Sequence, residues 1–279
     1  MMRKTSKWIF ELLLVALALA FLSPIYIMIV NSFKNRAELY ENALALPSTL
    51  SFQYYKQAME KMNFLTAFGN SLFVTVISVA IVVILASMTA WMLVRTENKL
   101  SKIIFLTFVS TMLIPFQTLM MPLMQVMDWI SRNLHIPMLN THGGLIYMNV
   151  GFHASMAVFL YHGFIKSVPV ALEEAATLDG CGKFGVFWRI VFPMLKTITI
   201  TIAILDVISI WNDYLLPSLT LSDKGLRTIP LSTFYFFGEF TIVWNLAMAG
   251  LTLTIIPVVV FYFFAQKYII KGIAAGAVK

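Results

Sequence analysis

Six apolar segments of this chain are each long enough to cross a lipid bilayer as a helix. About 20 apolar residues span the roughly 30 Å of hydrocarbon in a membrane. The sequence therefore predicts an all-α integral membrane protein with six transmembrane helices. The predicted spans are residues 8–30, 69–94, 103–126, 143–165, 197–219 and 243–265.

Two of these segments are less uniform than the others. The third contains Pro115 and Pro122, and the fifth contains Asp206 and Asp213. A membrane helix tolerates proline when neighbouring helices satisfy the carbonyl groups that lose their partners. We therefore expect kinked helices inside a bundle at these two places.

The charge content agrees with this class and excludes others. Only 12% of the 279 residues are charged, whereas a soluble domain has about 25%. Lysine and arginine outnumber acidic residues by 20 to 13, but they flank the apolar segments, so they indicate topology and not nucleic-acid binding. Cys181 is the single cysteine, which leaves no disulfide framework or cysteine metal cluster.

The distribution of basic residues predicts the orientation. With the N-terminus inside, thirteen of the twenty Lys and Arg fall in inner segments, as the positive-inside rule requires, so both termini are predicted to be cytoplasmic. The first apolar segment also resembles a signal peptide, but it is longer than a signal core of about 7–15 residues, which favours an uncleaved span. The longest outer segment, residues 31–68, is predicted to hold a small surface helix around its aromatic residues, Phe52, Tyr54, Tyr55 and Phe64.

The inner segment between the fourth and fifth spans, about residues 166–196, predicts two short helices joined at Gly180. Ser167 is suited to cap the first helix and Pro169 to its first turn. Gly180 is placed to end that helix in a left-handed conformation. An ordinary surface hairpin and a specialised one fit these signals equally.

The spacing in this segment resembles the EAA loop of ABC importer permeases. Residues 174–176 read Glu-Ala-Ala; Gly180 follows after three residues, Ile190 after nine more, and Phe192-Pro193 after one more. The family pattern has Leu where Phe192 stands. The sequence around this pattern resembles that of the carbohydrate-uptake branch. The first outer loop is short, which is similar to the smaller, maltose-G-type permease. Further agreement lies in Asn70-Ser71-Leu72, Pro115-Phe116, Met121-Pro122-Leu123, Trp211-Asn212-Asp213 with Pro217, and the ending Lys271-Gly272 through Lys279.

The resemblance implies a type I importer permease, which is not itself an enzyme. It implies a second permease subunit, two ATP-binding cassette ATPase subunits that bind ATP and Mg²⁺, an extracytoplasmic sugar-binding protein, and a multi-pass position in the bacterial cytoplasmic membrane. No cofactor is expected in this chain. It implies a first helix and outer loop in residues 1–68 and a permease core in residues 69–279, with a cytoplasmic tail at 266–279. The residues that it assigns to ATPase coupling are Glu173, Glu174, Ala175, Ala176, Asp179, Gly180, Ile190 and Pro193.

Two other patterns do not predict sites. Residues 180–185 match G-x-G-x-x-G, but that fingerprint needs a preceding strand and a βαβ unit, and here a helix precedes it. The four histidines, His135, His142, His153 and His162, have no metal-ligand spacing.

The fifth span has polar residues on one face, because Thr199, Asp206 and Asp213 are seven residues apart, almost two turns, and Ser209 lies beside them. An Asp near mid-membrane costs about 2.5–3.5 kcal/mol on insertion scales and usually faces a cavity or a partner. Two hypotheses fit this face equally: it lines the sugar path, or it bonds a neighbouring span or subunit. Asn212 and Asp213 favour a structural role near Pro217. The candidate path residues are Thr199, Asp206, Ser209, Asn212 and Asp213.

The predicted function is a permease subunit of an ATP-dependent sugar importer, the sugar being an oligosaccharide. The alternatives are a permease of the same family for another solute, such as a glycerol phosphate or a polyamine, and, more remotely, a secondary transporter.

Overall fold

The computed structural model describes residues 4–237 and 242–277, which form fourteen α-helices and no β-strand. Short π and 3₁₀ segments connect some of them. The helices are α1 (Lys4–Asn31), α2 (Arg36–Glu41), α3 (Gln53–Lys61), α4 (Phe64–Arg95), α5 (Lys99–Thr111), α6 (Phe116–Asn133), α7 (His142–Ile165), α8 (Val170–Leu178), α9 (Lys183–Val186), α10 (Phe192–Met194), α11 (Lys196–Trp211), α12 (Leu215–Thr220), α13 (Ile229–Thr233) and α14 (Trp244–Ala277).

Four of the described helices, α1, α4, α7 and α14, are each long and apolar enough to cross a membrane. They coincide with four of the six predicted spans. Two further spans result if each of two sharply bent helix pairs is counted as one. The all-helical, multi-span prediction is confirmed, with between four and six spans in the described residues.

The third predicted span is broken and not merely kinked. Helices α5 and α6 meet at 108°. Between them, the N–H groups of Met112, Leu113 and Ile114 donate to carbonyls only three residues earlier, and Pro115 has no N–H with which to continue the helix. Pro122, in contrast, lies inside α6.

The fifth predicted span, residues 197–219, is also wrong as a continuous helix. Helix α11 ends at Trp211, and α12 is a separate short helix. Residues 183–194 precede α11 and meet it at an angle of 77°. The early end has a local cause: an Asp213 carboxylate oxygen accepts from the N–H of Leu215 at 2.9 Å and starts a new turn.

Residues 1–65 and 231–259 form one compact unit. Its small core is built on Ala58 of α3, the predicted surface helix, and on Met62 at the C-cap of α3, with Phe236 and Leu246. Phe64 packs against this core from the start of α4, so its placement in the surface helix was wrong.

Residues 66–230 and 260–279 form the second unit. Its core runs along α4 and α7 through small apolar side chains such as Val82, Ala86 and Ala157, and continues into the segment 176–195. Glycine is required at Gly144, where a Cβ would overlap the Met138 carbonyl. This second unit contains the candidate sites.

Candidate functional site

The segment 166–196, which we call the hairpin, is built as a helix, a glycine turn and a second helical stretch. Pro169 is the N-cap residue of α8. Ser167 does not cap it, because its hydroxyl donates to Phe164 O at 2.7 Å. At the other end, Cys181 N–H donates to Ala176 O and Gly180 N–H to Thr177 O, the bond pair of a Schellman motif.

Gly180 has φ +85°, as predicted. A residue with a Cβ loses roughly 1–2 kcal/mol in that region. No atom lies within 4 Å of the place where such a Cβ would stand. Glycine is therefore required here for backbone conformation and not for space.

One ion pair fastens α8 to α4. The Glu173 carboxylate accepts from Arg95 Nε at 2.9 Å through one oxygen and from Trp91 Nε1 at 2.9 Å through the other. Arg95 Nη2 also donates to Val168 O at 2.9 Å. The side chains of Arg95 and Glu173 are only 18% and 10% exposed, so these charge-assisted bonds are screened little by water.

This geometry changes the role expected of Glu173. The family resemblance implied that Glu173 would meet a partner subunit together with Glu174 and Asp179. In the structure Glu173 is buried and both its oxygens are bonded within the chain, whereas Glu174 and Asp179 are exposed. Residues 78 and 82 positions earlier hold it, and no local sequence pattern predicts such a distant pair.

The second half of the hairpin packs into the same core. Phe187 is 1% exposed and its ring lies 5.3 Å from that of Trp91. Ile190 is half-buried against the core, and Ala176 is buried within it. The chain widens to a π turn over residues 187–191. Such a turn relieves the clash between the ring of Pro193 and the carbonyl four residues earlier.

The tip of the hairpin exposes apolar side chains that the sequence analysis missed. Leu178 is 88% exposed and Phe184 is 71% exposed. They lie on either side of Gly180, and Ala175 and Pro193 of the hairpin are exposed as well. The signal in the sequence was one large apolar residue on each side of a predicted glycine turn.

The polar face of α11 lies against α7. Tyr161 OH donates to Thr199 Oγ1 at 2.9 Å, and His153 Nε2 lies 3.2 Å from Ser209 Oγ. Asp206 is only 5% exposed, and among the described residues its Oδ2 has no hydrogen-bond partner. The face therefore bonds a neighbouring helix through two of its members.

Asn212 and Asp213 organise the end of α11. The Asn212 amide donates to Ile208 O at 2.8 Å, and Asp213 accepts from the N–H groups that begin α12. This is the structural role that the sequence favoured for them.

At the far end of α4 a loop, residues 220–229, is fastened by side chains. Asn70 Nδ2 donates to the carbonyls of Gly225 and Arg227 at 2.8 and 3.0 Å. Asn140 Oδ1 accepts from two backbone N–H groups of the loop, at Ser222 and Asp223. His142 and Ser71 bond the loop backbone as well. Ser222 through Gly225 remain exposed.

The fold and these sites define a multi-span helical membrane protein with an anchored hairpin at one end of α4 and a fastened loop at the other. Its family is shown by comparison with known proteins. Residues 82–275 match the family described as "Binding-protein-dependent transport system inner membrane component", and the chain belongs to that family. The resemblance to the carbohydrate-uptake branch of the ABC importer permeases is confirmed.

Two relatives cover the chain from end to end. It is 47% identical to the probable starch degradation products transport system permease protein AmyC of Thermoanaerobacterium thermosulfurigenes, over 100% of both chains. It is 36% identical to the melibiose/raffinose/stachyose import permease protein MelC of Bacillus subtilis, over 99% of this chain and 98% of that one.

A solved structure shares the fold. A chain of a bacterial ABC transporter that imports the acidic polysaccharide alginate superposes with a TM-score of 0.81, at 20% identity, over 96% of this chain and 99% of that one. The overall fold is thus that of an importer permease.

Proposed function

We propose that this chain is one of two permease subunits of an ATP-driven oligosaccharide importer, and that the hairpin couples it to a separate ATPase. The sugar crosses without chemical change. ATP and Mg²⁺ are bound by the ATPase subunits, and an extracytoplasmic binding protein delivers the sugar. The chain spans the bacterial cytoplasmic membrane six times with both termini in the cytoplasm.

The length of α4 supports opposite sides for the hairpin and the fastened loop. Asn70, which bonds the loop, and Arg95, which bonds the hairpin, are 25 residues apart on one helix. At 1.5 Å per residue this is about 37 Å, more than the hydrocarbon thickness. The end with Arg95 also carries most of the basic residues of this unit, which favours the cytoplasm for the hairpin.

The observation that carries the coupling proposal is the contrast within the hairpin. Its inner face is tied to the core by Glu173, whereas its tip presents Leu178 and Phe184 to solvent. Exposed large apolar side chains beside charged residues are typical of a protein interface. A tip that is docked on an ATPase and fixed to α4 transmits a push from the ATPase to a membrane helix without bending at its base.

The path for the sugar is proposed along the partly exposed side of α11. Ser209 and Asn212 are exposed there, and hydroxyl and amide groups suit a sugar. Asp206, with a buried oxygen free of partners in the described structure, is proposed to take a hydrogen bond when the helices rearrange. We assign Thr199 and Asp213 to holding this face in place, because Thr199 accepts from Tyr161 OH and Asp213 accepts from Leu215 N–H.

The substrate class is inferred from the relatives, whose names specify starch degradation products and the galactosides melibiose, raffinose and stachyose. Melibiose, raffinose and stachyose are uncharged sugars of two or more units. The five candidate path residues contribute two carboxylates and no basic group, which suits a neutral ligand better than a phosphate ester.

The test is uptake by the complex in proteoliposomes with ATP inside. Labelled maltotriose, raffinose, glycerol 3-phosphate and a polyamine are offered in turn, each with its binding protein. We expect ATP-dependent uptake of an oligosaccharide and none of the other two classes. Uptake of glycerol phosphate or polyamine would reassign the substrate, and oligosaccharide uptake that persists without the ATPase subunits would overturn the coupling.

A further inference from the structure

A concavity separate from the hairpin tip and from the α11 face lies where α4, α5 and α7 meet, at the end of α4 that carries Arg95. Its volume is about 860 Å³. Three lysines, Lys99, Lys102 and Lys166, border it together with one acid, Glu97. All four are exposed, and the described structure gives none of them an ion-pair partner.

The floor of this pocket is apolar. Phe105 and His162 stack with ring centroids 3.7 Å apart and nearly parallel planes. Leu93, Val94 and Leu106 complete the apolar lining. A rim with a net charge of about +2 above an apolar floor matches a molecule with an anionic head and an apolar body.

The start of α5 adds to the positive character of the rim. Asn98 caps this 13-residue helix by accepting from Ser101 N–H at 2.8 Å. The other N–H groups of a first helical turn lack partners within the helix, and the helix dipole places partial positive charge there. Lys99 and Lys102 belong to the same turn, so charge and dipole act on one side of the pocket.

The surface that continues from the pocket is apolar as well. Leu100, Ile103 and Leu106 along α5 are 63%, 60% and 52% exposed. A soluble phosphate compound has no apolar chain with which to contact this surface, whereas the acyl chains of a lipid would cover it. Basic pockets between membrane helices on the cytoplasmic side bind anionic lipid head groups.

We propose that this pocket binds the head group of an anionic phospholipid of the cytoplasmic leaflet, with phosphatidylglycerol as the probe. Lys99, Lys102 and Lys166 hold the phosphate, and α5 carries the acyl chains. The side of the membrane rests on the proposed function, because the hairpin lies at the same end. The bound lipid fixes the short link of residues 96–98, and thereby the start of the broken pair α5–α6, against α7.

The test is a lipid titration followed by native mass spectrometry. The full transporter complex is delipidated in detergent and titrated with phosphatidylglycerol, phosphatidylcholine or inorganic phosphate. We expect the complex to retain phosphatidylglycerol in preference to phosphatidylcholine, and inorganic phosphate at millimolar concentration not to displace it. Equal retention of the two lipids would overturn the proposal, and displacement by inorganic phosphate would assign the pocket to a soluble anion instead.

The variant Lys99→Gln/Lys102→Gln/Lys166→Gln removes the rim charge. At about fivefold per lysine near an anionic surface, half-saturation should move by on the order of 100-fold. The matched control is Lys56→Gln/Lys61→Gln/Lys224→Gln, which removes the same charge from exposed positions outside the pocket; it should bind as the wild type does. If the two variants weaken binding equally, the pocket is not the site.

The same spectra separate this proposal from the proposed function. They report how many ATPase subunits accompany the chain, independently of the lipid count. A complex without ATPase that still retains phosphatidylglycerol would sink the coupling proposal alone. A complete complex that retains no anionic lipid would sink the lipid proposal alone.

Discussion

The Glu173 anchor gives the most quantitative prediction. Glu173→Ala removes the carboxylate to which Arg95 and Trp91 donate, while Arg95 keeps its bond to Val168 O. The attachment of α8 to α4 is therefore weakened. Removal of one partner of a buried ion pair costs about 3–5 kcal/mol. Because the two side chains here are 18% and 10% exposed, water can solvate part of the orphaned charge, and we expect about 2–3 kcal/mol.

This loss lowers the free energy that is needed to open the hairpin locally. A loss of about 2–3 kcal/mol raises the opening equilibrium by about 30- to 160-fold, and hydrogen exchange of the α8 amides should accelerate by that factor. The measurement is hydrogen exchange with mass spectrometry on the purified complex. Exchange in the middle of α7 should not change.

Glu174→Ala is the matched control, since Glu174 is the next residue and is exposed. It should leave α8 exchange within about twofold of wild type, because exposed substitutions away from such features change stability little. If Glu173→Ala and Glu174→Ala have equal effects on α8, Glu173 is not an anchor and the reasoning fails.

Four further outcomes are expected. Gly180→Ala should destabilise the hairpin turn by roughly 1–2 kcal/mol, because residue 180 has a left-handed φ. Gly182→Ala should not, because residue 182 has φ −68° and open space around it. Hydrogen exchange of the α8 and α9 amides measures both effects, and equal exchange rates in the two variants would contradict the turn assignment. Leu178→Asp should weaken ATPase co-purification at least tenfold while the chain still inserts; an unchanged ATPase yield would remove the tip from the interface. Asp206→Asn should reduce sugar uptake several-fold with ATP hydrolysis retained, and unaltered uptake kinetics would take Asp206 out of the path. Asn70→Ala removes two bonds to the loop 220–229. At about 1 kcal/mol for each bond, the protease sensitivity of the loop should rise about 30-fold; unchanged cleavage would show that the remaining side chains suffice.

The sequence was sufficient to predict those features that depend on one type of residue meeting one physical requirement. Four spans followed from apolar length alone, since α1, α4, α7 and α14 each cross a bilayer's thickness. Gly180 was predictable because a helix that turns back on itself needs a left-handed residue, and the structure has it at φ +85°.

The sequence was insufficient to predict those features that depend on contacts between residues far apart in the chain. The partners of Glu173 lie 78 and 82 residues away, so its burial could not be read from the helical pattern around it. The break of 108° at Pro115 also depends on context, because Pro122 in the same segment is accommodated inside α6. The predicted polar face extends past a helix end, because α11 stops at Trp211 and Asp213 lies beyond it. The partners of two of its members could not be read from the sequence either: Thr199 contacts Tyr161, and Ser209 contacts His153.

Cysteine chemistry tests whether the hairpin tip meets the ATPase on the cytoplasmic side of the membrane. In a Cys181→Ser background, Leu178→Cys and Ser222→Cys place single thiols at the exposed tip and on the exposed loop. A membrane-impermeant maleimide applied to intact cells should label Ser222→Cys and not Leu178→Cys, and only Leu178→Cys should crosslink to the ATPase subunit. Labelling of Leu178→Cys from outside, or its failure to crosslink in an active complex, would contradict the account.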